Sequence, residues 1–225
     1  MPRVCAAIFD AYGTLLDVHA AMARHAARLG PSWQAISADW RTKQIEYTWV
    51  RSLAGTRHHR NFWHLTEEAL AWTAARHGVN DRALLADILR AYRRLEAFAD
   101  AAPMLTRLRD AGIKRAILSN GEPGMLADAV RGAHIERLLD AVLSVESAGV
   151  FKPDPRVYRL ATERFAVPAE QMAFVSSNAW DAFGARAFGF QVFWINRGGA
   201  PCEYDLATTA TELCDLVALP DALAL

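Results

Sequence analysis

Cysteine is scarce in this chain: Cys5, Cys202 and Cys214 are the only three in 225 residues. They lie far apart, without a CxxC pair or a histidine at zinc-finger spacing. That argues against a disulfide frame and a structural metal, and for reduced thiols in a cytoplasmic protein. Charge of one sign is not in excess either, since 25 Lys and Arg face 25 Asp and Glu. A protein that neutralises many phosphates carries a basic face, so neither nucleic acid nor an anionic membrane is an expected partner. No apolar run approaches the roughly 20 residues of a membrane span, and the run in MPRVCAAIFD is too short for a signal peptide. Repeats and low-complexity tracts are absent. With 52% hydrophobic residues, the chain can bury a substantial core as one domain or as a core carrying an insert. Seven Trp and ten Phe suit that core, or a dry apolar pocket.

Residues 4–9, VCAAIF, form a short continuous apolar run that ends at Asp10 and a turn at Gly13, the pattern of a buried strand followed by a loop. Similar runs end in small or polar residues at 113–120, 139–145, 172–178 and 191–196. Segments of helical spacing lie between them, so the spacing predicts parallel βαβ units and a doubly wound α/β sheet of Rossmann-like type. From about 17 to 100 no strand is predicted. Four helical stretches, near 17–29, 36–54, 62–77 and 81–97, make a helical insert after the first strand. Its Trp33, Trp40, Trp49, Trp63 and Trp72 read as core residues more readily than as ligand contacts.

In open parallel sheets the ligand sits outside the carboxyl ends of the strands. Four polar groupings fall there: Asp10 with Thr14, Ser119 with Asn120, Lys152, and Ser176, Ser177, Asn178 and Asp181. Each has an ordinary reading. Asp10 could cap a helix, Ser119-Asn120-Gly121 could be a turn, Lys152 could be a solvated loop residue, and Asp181 could sit in a first helical turn. Their coincidence suggests instead a carboxylate nucleophile that forms an ester and splits one displacement into two steps. A lysine nearby would keep that carboxylate ionised.

In order, FDAYGTLLD, ILSNG, Lys152 in GVFKPDPRVY and VSSNAWDAFGARAFGF resemble the four motifs of the haloacid dehalogenase superfamily. The likeness spans essentially the whole chain. It implies a core domain of residues 1–16 and 98–225 and a helical cap domain of 17–97. The superfamily is dominated by phosphatases, but this chain departs from their pattern. Tyr12 replaces the second Asp, and a phenol with an ordinary pKa near 10 is a poor base at neutral pH. SSNAWD carries one carboxylate where phosphatases have an acidic cluster for Mg²⁺, although Asp10 and Asp181 could still supply two oxygen ligands. The same substitutions are similar to the L-2-haloacid dehalogenase branch, as are DAYGTL, RTKQIEYTW at 41–49, SNG at 119–121 and KPDPRVY at 152–158.

That resemblance implies hydrolysis of a short (S)-2-haloalkanoic acid to the inverted 2-hydroxy acid and halide, with water as co-substrate and no metal or other cofactor. Asp10 would attack the halogen-bearing carbon, and water would then attack the ester carbonyl. Arg41 corresponds to the cap arginine that receives halide, with Asn120 and Phe62 as neighbours, though read alone it is a surface helix arginine. A length difference in GTRHHRNF leaves the alignment of Phe62 open, and His58 and His59 lie in that segment. Ser119, with backbone amides near Tyr12, corresponds to the group holding the substrate carboxylate. Thr14 and Ser176 orient Asp10, and Lys152, held by Tyr158, Asn178 and Asp181, balances its charge. Asp181 corresponds to the base, directly or through Lys152 or Asn178. Ile45 and Trp180 shape the apolar side of the pocket. The family often dimerises through its helical parts, and an apolar cap is compatible with a homodimer. Three rivals remain: a metal-dependent phosphatase on the same fold, a binding protein without chemistry, and a ring-opening hydrolase using the same ester.

Overall fold

A computed structural model describes residues 2–225. Six parallel strands form one sheet in the order β3-β2-β1-β4-β5-β6: β1 Ala6–Phe9, β2 Lys114–Ser119, β3 Ala141–Ser144, β4 Met172–Ser176, β5 Gln191–Ile195 and β6 Thr211–Leu213. Strands covered on both faces need apolar side chains on both, which is why β1 and β4 are unbroken apolar runs and wholly buried. β1 lies between β2 and β4, with Phe9 paired to Ile117 on one side and Val175 on the other. The residue after Phe9 therefore emerges at the middle of the sheet's carboxyl edge. All five expected strands are present; β6, a sixth, is an edge strand of sequence TEL with two exposed residues. An edge strand with one neighbour needs no apolar run, so no periodicity announced it.

The helices between β1 and β2 are α1 Ala20–Ala23, α2 Ala26–Leu29, α3 Trp33–Leu53, α4 Phe62–Arg76, α5 Arg82–Tyr92 and α6 Ala101–Asp110. The expected helix at 17–29 is two single turns, α1 and α2, because His25 leaves helical geometry between them. α3 begins three residues before the expected start and, at 21 residues, spans about 30 Å. It packs mainly on α4. α7 Pro123–Gly132, α8 Pro155–Phe165 and α9 Ala179–Phe188 cover the sheet, and α10 Leu206–Thr209 and α11 Leu219–Ala222 are single turns near the end of the chain. Trp40 is core, as expected. Trp72 is not: it is exposed, with the Lys43 ammonium 4.4 Å and the Arg76 guanidinium 5.4 Å from its ring centroid.

The chain leaves and re-enters the sheet region at one place. Leu16 bridges Ala97 antiparallel, Phe98 N donates to Leu15 O at 2.9 Å and Asp17 N to Glu96 O at 3.0 Å. A clasp secures this crossing. Arg197, just after β5, makes a two-pronged ion pair with Asp100 at 2.7 and 2.9 Å. It also lies 4.1 Å from the Phe98 ring centroid and donates to Thr14 O at 3.3 Å. Asp100 further accepts Leu216 N at 3.0 Å. Burial would raise its carboxyl, but Arg197 and that amide hold it below the usual range. Asp100→Asn should therefore lower the unfolding free energy by about 1–3 kcal/mol, the range for a hydrogen bond to a charged group. A fall in the urea midpoint at unchanged slope checks this.

Candidate active site

Asp10 leaves the central strand with its backbone N–H held by Val175 O at 3.0 Å, and it caps no helix. Gly13, at φ +91°, turns the loop in a left-handed conformation that side chains disfavour. The turn brings Thr14 back, and its hydroxyl lies 3.4 Å from Asp10 Oδ2 while accepting Ser177 N at 2.9 Å. Asn178 donates from Nδ2 to Asp10 Oδ2 at 2.7 Å and to Tyr12 O at 3.2 Å. It stands at the N-cap position of α9 yet makes no side-chain cap. Its amide is committed to the carboxylate instead.

Lys152 joins two carboxylates. Its Nζ is 3.1 Å from Asp10 Oδ1 and 2.8 Å from Asp181 Oδ2, and the Phe174 ring centroid lies 5.1 Å away on a third side. Its side chain is fully buried. Burial alone would push the ammonium down, but the two carboxylates outweigh it and Lys152 stays above the ordinary lysine value. Asp181, on the first turn of α9 and fully buried, is pushed up to about 6 by burial and by Asp10, with Lys152 opposing. Tyr158 donates to Asp181 Oδ1 at 2.8 Å, and Ser176 Oγ donates to Asp181 Oδ2 at 3.1 Å. Burial and the Asp181 charge push the Tyr158 phenol well above its usual value, so it keeps its proton and remains a donor.

Tyr158 reaches Asp181 because α9 presents a glycine. A Cβ on Gly184 would stand 2.5 Å from both Tyr158 Oη and Pro153 Cβ. The expectation that Tyr158 and Asn178 hold Lys152 needs correction. Neither bonds its ammonium: Tyr158 bonds Asp181 and Asn178 bonds Asp10, because the two carboxylates already occupy the ammonium's polar sides.

Across the cleft, α3 directs Arg41 at the same loop. Arg41 Nη2 makes long contacts, 3.4 Å to Tyr12 O and 3.5 Å to Asn178 Oδ1, and Nη1 is buried without a partner. Asn120 accepts Lys152 N through Oδ1 at 3.0 Å, leaving its Nδ2 buried and unpartnered as well. Arg41 and Asn120 do not bond each other. Two buried donors without acceptors are costly unless an anion meets them. Ser119 accepts Gly121 N at 3.1 Å, which leaves its hydroxyl proton free. Phe62, at the start of α4 behind an Asn61 cap, is buried 6.0 Å from the Tyr12 ring, so the altered GTRHHRNF segment still delivers this ring to the site. His59 instead bonds Glu146 at 3.1 Å. Ile45 is buried one turn beyond Arg41. Trp180 packs edge-on to Trp49 at 5.5 Å and lines a cleft of about 510 Å³ with Leu53, Phe183 and Tyr204. Tyr12 itself is buried, which raises its phenol well above 10 and removes it as a base near neutral pH.

Two buried residues escaped the sequence reading. Tyr92 ends α5 with its ring stacked on Tyr12 at 5.7 Å, and Gln44 lies on α3 within 3.4 Å of the Tyr92 hydroxyl. The helical pattern around both is ordinary, and no local signal marks either as part of a site.

A family model for haloacid dehalogenase-like hydrolases matches residues 5–189. The chain belongs to that family. This haloacid dehalogenase-like hydrolase is 46% identical over 206 residues to (S)-2-haloacid dehalogenase 4A of Burkholderia cepacia, across 91% of its own length and 87% of the relative's. It matches a solved dehalogenase with intermediate complex at TM-score 0.96 and 42% identity, covering 100% of this chain and 99% of the other. It also matches the L-2-haloacid dehalogenase of Xanthobacter autotrophicus, solved with chloropropionic acid covalently bound, at TM-score 0.88 and 36% identity, with 98% of each chain covered.

Lys152→Met should destabilise this hydrolase by about 3–5 kcal/mol at pH 7, because it strands buried charge. Without the ammonium, Asp181 loses its main opposing influence and its folded pKa rises further above an unfolded value near 4. The penalty is then full above that folded pKa and relieved as pH falls through it. Urea unfolding at pH 5 and pH 8 checks the sign: the loss relative to wild type should be smaller at pH 5.

Proposed function

We infer that this protein is an (S)-2-haloacid dehalogenase, a hydrolase of carbon–halide bonds that acts through an Asp10 ester. The observation that carries the reading is Lys152: an ammonium, shared between two carboxylates, stands beside Asp10, in a member of a family whose relatives include the covalently bound chloropropionate complex. A carboxylate paired with an ammonium and aimed by an amide has the geometry of a nucleophile.

In the first step one Asp10 oxygen attacks C2 of the haloacid from the side opposite the halogen. The C–O bond forms as the C–halogen bond breaks, and halide leaves with the electron pair. Asn178, Thr14 and Lys152 orient the carboxylate and hold its charge until it is spent. The orphan donors of Arg41 and Asn120 are placed to receive the departing anion beside Phe62. Ser119 and the loop amides near Tyr12 take the substrate carboxylate, while Ile45 and Trp180 line the apolar side. In the second step water attacks the ester carbonyl carbon of Asp10 and the bond from that carbon to the oxygen joined to C2 breaks. That enzyme oxygen departs with one proton of the water as the product hydroxyl, and Asp10 regains its carboxylate with the water oxygen. We assign Asp181 as the final proton acceptor. Both its oxygens are engaged by Tyr158, Ser176 and Lys152, so Lys152 passes one of its own N–H protons to Asp181 and takes the proton of the attacking water in its place.

We place the boundary between core and cap at the Leu16–Ala97 crossing, giving a core of 1–16 and 98–225 and a cap of 17–97. Three free, exposed cysteines favour the reducing cytoplasm. The exposed Val50 and Leu53 on α3 are apolar surface that a second copy would cover in a homodimer.

Asp10→Ala should abolish halide release from (S)-2-chloropropionate, and wild-type enzyme should release it in the presence of a chelator. Single turnover in ¹⁸O-labelled water should label Asp10 before it labels the product; labelled hydroxy acid from the first turnover would sink the ester mechanism. Because Asp181 must be ionised to accept a proton, turnover should fall on the acid side with an apparent pKa near 6, read from a kcat–pH profile.

A further inference from the structure

Tyr92 is the last residue of α5, and nothing in the chemistry above uses it. It is 1% exposed. Its ring lies parallel to Tyr12, at 4° and 5.7 Å between centroids, and tilts against Trp40 at 4.9 Å. Its hydroxyl donates to Gln44 Oε1 at 3.4 Å, a long bond for an O–H donor. Gln44 is buried, and its amide donates to Thr66 Oγ1 at 3.0 Å, whose hydroxyl in turn donates to Phe62 O at 2.8 Å. Arg41 stands one turn before Gln44 on α3. Burial pushes the Tyr92 phenol up, and the Arg41 guanidinium beside it pulls the other way, so Tyr92 stays a neutral hydroxyl next to the arginine. Every group assigned to the leaving anion from the helical insert is thus tied to this tyrosine. Arg41 stands one turn from Gln44, which accepts its hydroxyl, Phe62 is reached through Gln44 and Thr66, and the Tyr12 ring rests on its face.

We propose that Tyr92 is a positioning residue that sets the leaving-group pocket, through its hydroxyl on Gln44 one turn from Arg41 and its ring behind Tyr12, and so determines which halides can depart. The proposal deepens the dehalogenase reading and rests on it. Chloride leaves with its charge more concentrated than iodide and depends more on well-aimed donors. Tyr92→Phe keeps the stack, removes the hydroxyl and strands the Gln44 carbonyl, so it loosens the turn of α3 that carries Arg41 without opening a cavity.

A two-step reaction supplies its own control. (S)-2-chloro-, 2-bromo- and 2-iodopropionate all give the same ester, so ester hydrolysis cannot depend on the halogen. Rapid-quench single turnovers on full-length enzyme should show halide release by Tyr92→Phe falling about tenfold for chloride, the equivalent of one hydrogen bond of about 1.4 kcal/mol. For iodide the fall should be less than about threefold, with ester hydrolysis within about twofold of wild type. An equal loss for all halogens, a matching loss in ester hydrolysis, or no loss at all overturns the proposal. Gln44→Met provides a second test should Tyr92→Phe fail to fold. It should reproduce the chloride-selective loss and, combined with Tyr92→Phe, add nothing further. Wild-type enzyme that releases no halide from any of the three would defeat the dehalogenase reading itself, a separate outcome.

Discussion

The site depends on one buried cation. Lys152 has no exposed side-chain surface, and an ammonium taken out of water is tolerated only where opposite charge meets it. Asp10 and Asp181 supply that charge, and each is in turn tolerable only because Lys152 is present. The carboxylate oxygens are met further by hydroxyls and an amide from Thr14, Ser176, Tyr158 and Asn178. Much of the local structure serves this arrangement. Gly184 lets α9 approach Tyr158, and Asn178 forgoes capping α9 to reach Asp10.

The same constraint separates this site from one built for phosphate. A metal-assisted site needs carboxylates free to bind an ion, whereas here Asp181 is committed to three donors and the neighbouring position on the first loop is a phenol stacked between aromatic rings. Tyr12 does structural work that an aspartate could not. Its ring joins Phe62 on one side to Tyr92 on the other, and its backbone carbonyl accepts both Arg41 and Asn178. Arg41 Nη1 and Asn120 Nδ2 remain buried donors without partners, and a donor shielded from water is worth more to an anion than one exposed to it.

The sheet was legible because strands buried on both faces must be apolar throughout, and the polar residues at or beyond their carboxyl ends, Asp10, Ser119, Lys152 and Ser176, could be picked out as a set. The edge strand β6 was not, since one exposed side relaxes its composition. Within the site, residue identities were readable but partners were not. Tyr158 and Asn178 were expected to hold Lys152, but they bond Asp181 and Asp10 instead; which of three charged groups each bonds depends on how many sides of an ammonium are already taken, a fact of three dimensions. Tyr92 and Gln44 were invisible for the same reason. A tyrosine at a helix end and a glutamine inside another helix gain significance only when the two helices pack.

Thr14 belongs to two arrangements at once. Its hydroxyl faces the nucleophile and its carbonyl receives Arg197, whose other prongs clasp Asp100 where the chain returns from the helical insert. The anchorage of the insert and the aim of the attacking oxygen therefore share a single residue. The clasp that closes the insert onto the sheet is thus only one residue removed from the Asp10 carboxylate.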